Sequence, residues 1–198
     1  MDTTELARYL IGKTIVHDLA HARLSGRIVE TEAYPVGDAA GHAYRGETPA
    51  KRSLFLERGH AYVYFAYGSA WMLNISGESA GIGAGVLLRA IEPFEGIALM
   101  RTSRGVRALR DLTRGPGRLA QAMRVDKRLD GIDLCGSRSV LWLGSPAQRV
   151  GEIGVTTRIG LSREAHRHLR FFERGNPFVS GPLHLLRRSV PAEAADAR

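Results

Sequence analysis

The chain has a single cysteine, Cys135, and only three lysines, Lys13, Lys51 and Lys127, in 198 residues. One thiol excludes an internal disulfide framework and any zinc site built on several cysteines. His166 and His168 lie among arginines with no carboxylate or cysteine beside them, so no metal is expected there either. No apolar run approaches the roughly 20 residues of a membrane helix. The opening MDTTELARYL lacks a basic start followed by an apolar block, so no signal peptide is legible and a cytoplasmic chain is expected. Neither an internal repeat nor a linker is visible. The glycine-rich GIGAG run has no Lys-Ser/Thr after it and leads into a strand-like segment, which excludes a P-loop and a dinucleotide fingerprint.

Acidic residues are also scarce: 20 against 28 basic ones, for a net charge of +8. With three lysines among them, the basic residues are overwhelmingly arginine. Such a surface attracts polyanions, and arginine grips phosphate in a bidentate fork. A genome rich in arginine codons would give the same bias without a function. The length suits one domain with a real core, here taken as residues 1–190 with a flexible tail at 191–198.

Asp2, with Glu5 three residues on and Gly12 beyond, predicts a capped helix over DTTELARYLIG. KTIVHDL and ARLSGRIVETEAY predict two strands around a polar turn. The next eighteen or so residues, PVGDAAGHAYRGETPAKR, have no period and are expected to form a structureless loop, which at that length is usually functional or disordered. HAYVYFAYG and WMLNIS form an expected hairpin, followed by a buried strand, VLLRAIEP. Helices are expected at PFEGIALMRTSR and at GPGRLAQAMRV, where Pro116 suits a first helical turn. Strands return at VLWLG, RIGLS and RFFERGNPFVSG. Strands, then helices, then strands imply a mixed α+β fold.

VETEAY, residues 29–34, carries two glutamates in a strand pattern, where Glu is depleted. Simple alternation puts Glu30, Glu32 and Tyr34 on one face together with Ile28, and Val29, Thr31 and Ala33 on the other. As a catalytic pair for O-glycoside hydrolysis the glutamates are poorly placed. Same-face neighbours lie roughly 7 Å apart and point in parallel, whereas that chemistry needs carboxyls flanking the bond. RGHAYVYF, residues 58–65, comes close to an RNA-recognition-motif signature, which leaves a non-catalytic RNA- or DNA-binding protein as the alternative. Arg104, Arg107 and Arg110 would form one basic stripe if their segment is helical. Gly115-Pro116-Gly117 would open a helix whose first N–H groups could meet a phosphate.

GRIVETEAY, YVYFAYG, LNIS and LLRAIEPFEG, in this order, resemble the alkyladenine (3-methyladenine) DNA glycosylase family. GPGRLAQAM and RIGLS…RFFERGNPFVSG extend the resemblance from about residue 5 to residue 183. It implies a single domain with a curved antiparallel sheet flanked by helices and a DNA-inserting hairpin. It also implies a monomeric, nucleoid-associated repair enzyme acting on double-stranded DNA that contains alkylated or deaminated purines, with no cofactor and no lyase activity. By the same resemblance Glu32 is the base that activates water and Arg89 helps hold that water. Tyr34, His42, Tyr64 and Asn74 line the base pocket, and Tyr67 is the wedge inserted into the duplex. Arg104, Arg107, Arg110 and Gly117 become candidate DNA-backbone contacts. The chain departs from the family pattern at Ala50 and Lys51, where relatives often carry Arg and Asn, and at Ser69, often a methionine.

Overall fold

A computed structural model describes residues 1–66, 68–146, 148–187 and 189–192. Helix α1 (Thr3–Tyr9) starts as the sequence predicts. The Asp2 carboxylate accepts from the Thr4 and Glu5 amides, and Glu5 returns a bond to the Asp2 amide. Such caps are worth about 1 kcal/mol. Strands β1 (Thr14–Leu19) and β2 (Ala22–Tyr34) follow, then β3 (Ala61–Ala66), β4 (Ala70–Ser76) and β5 (Gly85–Glu95). Next come α2 (Ile97–Arg104), α3 (Pro116–Ala122), β6 (Leu141–Gly144), β7 (Ile153–Thr156), β8 (Arg170–Glu173), α4 (Leu183–Arg187) and β9 (Val190–Pro191).

Among the described residues the strands form one open sheet in the order β3-β4-β5-β2-β8-β7-β9, with β1 pairing β2 and β6. Every pairing is antiparallel. The expected mixed α/β architecture is what the chain adopts. The principal core lies between the sheet and α1, α2 and α3, with Leu10, Ile28, Leu73, Leu88, Met100 and Phe171 fully enclosed. None of the helices described is long and apolar enough to cross a membrane.

Three expectations need correction. The second helix does not begin at Pro93, because β5 runs on to Glu95 and α2 begins at Ile97. Gly96 turns the chain between them at φ +73°, where a Cβ would meet the Arg23 carbonyl oxygen at 2.6 Å. RIGLS is not a strand. The strand is Ile153–Thr156, and Arg158 and Ile159 turn their polar groups towards β2 instead. The long loop is not structureless, for it contains two short 3-10 turns, His42–Arg45 and Pro49–Phe55. The expected tail begins with Pro191 in β9, and its residues 193–198 lie outside the described residues.

The alternation expected in VETEAY also breaks. Ile28 and Ala33 belong to the principal core, and the Thr31 hydroxyl donates to the Ala7 carbonyl on α1 at 2.8 Å. Val29 belongs to a smaller cluster with Ala90, Phe172, Phe178 and Val179. The pairing slips at the same point: Ile28 faces Ile91, Glu30 faces Ala90 and Thr31 faces Leu88. Ile28 therefore does not share a face with Glu30. Val29–Glu30 on β2 and Arg89–Ala90 on β5 each put two consecutive residues on the side away from the principal core. Irregularities of this kind re-aim side chains, and they concentrate beside active sites.

Candidate active site

Of the re-aimed side chains, Arg89 borders a cleft of about 250 Å³. Its floor comes from the sheet: Glu32 and Tyr34 from β2, Tyr62 and Tyr64 from β3, Met72 and Asn74 from β4, Leu87 and Arg89 from β5. Its rim comes from His42 and its neighbours in the long loop, from Pro116, and from residues 159–161. Six residues singled out in the sequence, Glu32, Tyr34, His42, Tyr64, Asn74 and Arg89, therefore meet in one place. Tyr67 lies outside the described residues.

Glu32 has no solvent exposure of its own. Its Oε1 accepts the Ile159 amide at 2.8 Å. Its Oε2 accepts the Tyr34 hydroxyl at 3.1 Å and faces Arg89 Nη1 at 3.2 Å. Burial pushes the Tyr34 phenol well above its ordinary range, and the Glu32 charge adds to the shift, so Tyr34 remains a proton donor. Burial disfavours the Arg89 charge, but Glu32 and Glu30 outweigh it and hold the guanidinium above its usual value. The Tyr34 ring carries the Arg158 guanidinium 4.6 Å from its centroid, and Asp38 pairs with that guanidinium at 2.5 Å. One face of the ring thus rests on a neutralised ion pair.

The opposite wall is aromatic. Tyr62 and Tyr64 stack with centroids 5.4 Å apart, and the His42 ring lies 4.3 Å from Tyr64. His42 Nδ1 is 2.8 Å from the Tyr62 hydroxyl. Desolvation of the ring lowers the His42 pKa, and Lys51 lowers it further, which favours the neutral imidazole. At the floor, Asn74 Nδ2 donates to the Tyr62 carbonyl at 3.2 Å, which fixes the amide. These tyrosines line an enclosed cleft on an edge strand, not an open sheet face.

Glu30 does not line the cleft and is wholly buried. It accepts four bonds, from Arg89 Nε at 2.9 Å, Arg170 Nε at 2.7 Å, and the Ser180 amide and hydroxyl at 2.6 and 3.0 Å. Two of the chain's many arginines thus pair with it. Sealed off in this way, Glu30 cannot act as the second acid of an O-glycosidase pair.

The arginine stripe is not a single helical face. α2 ends at Arg104, Gly105 caps it, and Arg110 sits in a separate 3-10 turn. Arg104 Nε donates to the Leu112 carbonyl and Arg110 Nε to the Pro177 carbonyl, while Arg107 is exposed. Gly117 has a packing reason of its own, since a Cβ there would meet the Ala70 Cβ at 2.8 Å. Sequence reasoning missed Asp38, Tyr62 as a lining residue, Arg158, Arg170 and Ser180. No group of three or more potential metal ligands occurs among the described residues.

Over most of its length the chain is similar to one family of known proteins. Residues 1–177 match the family model described as Methylpurine-DNA glycosylase (MPG). A provisionally named 3-methyladenine DNA glycosylase of Mesorhizobium japonicum is 64% identical, over 93% of this chain and 88% of its own length. One of the same name from Paraburkholderia phytofirmans is 56% identical, over 94% and 87%. Another, from Carboxydothermus hydrogenoformans, is 39% identical, over 90% and 94%.

Proposed function

The chain belongs to the methylpurine-DNA glycosylase family, and we propose that it flips alkylated or deaminated purines out of duplex DNA and hydrolyses their N-glycosidic bond with a water activated by Glu32. The observation that carries this reading is the Glu32 carboxylate, buried yet bordering an aromatic cleft, with Arg89 and the Tyr34 hydroxyl on its Oε2. A base inside a duplex is unreachable, so extrusion comes first, at a cost of a few kcal/mol.

The extruded purine fits between Tyr34 on one side and His42 and Tyr64 on the other. Flat, electron-rich rings favour a cationic alkylated base. Asn74, held by its bond to the Tyr62 carbonyl, sits where it can screen exocyclic groups. Glu32 then takes the proton of a water aligned with the sugar C1′, and Arg89 holds that water. A 3-methyl- or 7-methylpurine already carries positive charge and leaves as the neutral base. One carboxylate then suffices, in contrast to the pair of an ordinary glycosidase. For a neutral lesion such as hypoxanthine, proton donation to the base matters more. Tyr67, between β3 and β4 in the sequence, would fill the gap in the duplex. The net charge of +8, with Arg104, Arg107 and Arg110 contributing, would hold the phosphate backbone.

No lysine lies among the cleft's lining residues, so no side-chain amine is placed to form a Schiff base. We therefore read the enzyme as monofunctional, acting as a monomer. The test is release of free base from duplexes carrying 3-methyladenine, 7-methylguanine, hypoxanthine or ethenoadenine. Release should leave an intact abasic strand. Failure to release any of these bases would overturn the glycosylase reading, and a borohydride-trapped DNA adduct would overturn the monofunctional one.

A further inference from the structure

Burying ions in one cluster is costly, and a buried ion pair is weak support for stability. Apolar replacements of similar volume are often as stable or more so. Yet Glu30, Glu32 and Arg170 are fully buried here and Arg89 nearly so. All four lie within one connected set of bonds. Only Glu32 and Arg89 line the cleft. Glu30 and Arg170 call for another explanation.

The geometry of Arg89 supplies it. A guanidinium is a rigid planar fork, so fixing two of its nitrogens fixes the direction of the third. Arg89 Nε is held by Glu30 Oε1 at 2.9 Å, and Nη2 lies 3.4 Å from the Ser180 hydroxyl. The remaining nitrogen, Nη1, is thereby presented to Glu32 Oε2 at 3.2 Å. Glu30 is itself immobilised. Arg170 donates to it from Nε, and its other two nitrogens are tied to the Thr156 hydroxyl at 2.9 Å and the Ser180 carbonyl at 2.7 Å. The Ser180 amide closes the ring on Glu30 Oε2 at 2.6 Å.

We infer that Glu30 is a positioning residue for base release: clamped by Arg170 and Ser180, it aims the Arg89 guanidinium at Glu32 and so fixes the carboxylate that activates the water. This rests on the reading of Glu32 as the base. Glu30 touches no substrate and acts only through Arg89.

The test is single-turnover base release from a 7-methylguanine duplex, with duplex affinity and thermal unfolding measured alongside. Glu30→Gln should slow release about 100-fold, the scale of a small misplacement at a reacting centre, with duplex affinity unchanged. Ser180→Ala removes only the hydroxyl contacts to Glu30 and Arg89 and should slow release about tenfold. If Glu30→Gln does not fold, Ser180→Ala carries the test. In an Arg89→Met background, adding either change should cost less than about threefold, because the residue through which they act is gone. Equal slowing with and without Arg89, or no slowing in the single variants, would overturn the inference. Glu32→Gln separates it from the reading beneath it. Wild-type release that survives this change removes Glu32 from the chemistry, whatever the Glu30 variants do.

Discussion

Strand β2 carries two buried ion clusters, one on each side of its irregular turn at Val29–Glu30. On the near side, Arg27 is held by Glu173 at 2.5 Å and by Glu92 at 2.8 Å. On the far side, Arg89 lies between Glu30 and Glu32. Both join segments far apart in sequence, and both use arginine forks. They differ in what they border. None of the Arg27 group lines the cleft, whereas Glu32 and Arg89 do. Burial of charge alone therefore does not mark a working site. What sets the far cluster apart is a buried carboxylate that also borders the ring-lined cleft.

The largest expected effect tests the far cluster. Glu32→Gln should lower base release by about 10²–10⁴-fold, the range of a lost general base, while lesion-duplex binding persists. The near cluster should answer in stability. Arg27→Met leaves Glu173 buried and unpaired and should cost about 3–5 kcal/mol in urea unfolding, with release per folded molecule unchanged. A drop in that rate would erase the distinction between the two clusters.

Tyr34→Phe is a milder probe. It keeps the ring on Arg158 but removes the donor to Glu32, worth about 1.5–3 kcal/mol for a bond to a charged group, so release should slow by roughly ten- to a hundredfold. Acid should dissolve both clusters alike. Burial opposes the charges of Glu30 and Glu173, but their arginine partners prevail and hold both pKa values below the ordinary 4.5. A carboxyl with a depressed folded-state pKa stabilises fully above its unfolded value, and that stability is lost as pH falls through the folded one. Unfolding free energy should therefore decline below pH 4.5, and Arg27→Met should flatten part of that decline. The smallest effect belongs to a solvated charge. Arg107→Ala should reduce the dependence of DNA binding on log salt by about one, with no change in lesion selectivity.

Much of this was legible in the sequence because it is local. Asp2 and Glu5 announce α1, and the apolar alternation of YVYF and MLNIS announces the β3–β4 hairpin. VETEAY stood out because it carries two glutamates in a strand pattern, and the family resemblance, not the spacing, singled out Glu32. What stayed hidden is what sequence neighbours do not decide. Strict alternation assigns Ile28 and Glu30 to one face, and nothing in VETEAY signals the irregularity that separates them. Arg170 and Ser180 reach the site only through the pairing of β2 with β8 and the docking of the segment after it, and Arg158 through the connection from β7 to β8. In an arginine-rich chain no single arginine is conspicuous. RIGLS read as a strand because its apolar residues alternate, but Ile159 uses its amide on Glu32 instead of a ladder.

The bonds that complete the site also carry a schedule. Glu32 meets Arg89 once β5 has paired with β2, but it receives the Ile159 amide across 127 residues, and Glu30 receives the Ser180 amide across 150. During synthesis the first half of the chain can form its central strands while the last donors are still unmade. The full set of bonds thus comes only with the final segment, so an unfinished chain holds Glu32 and Arg89 without the donors of Ile159 and Ser180.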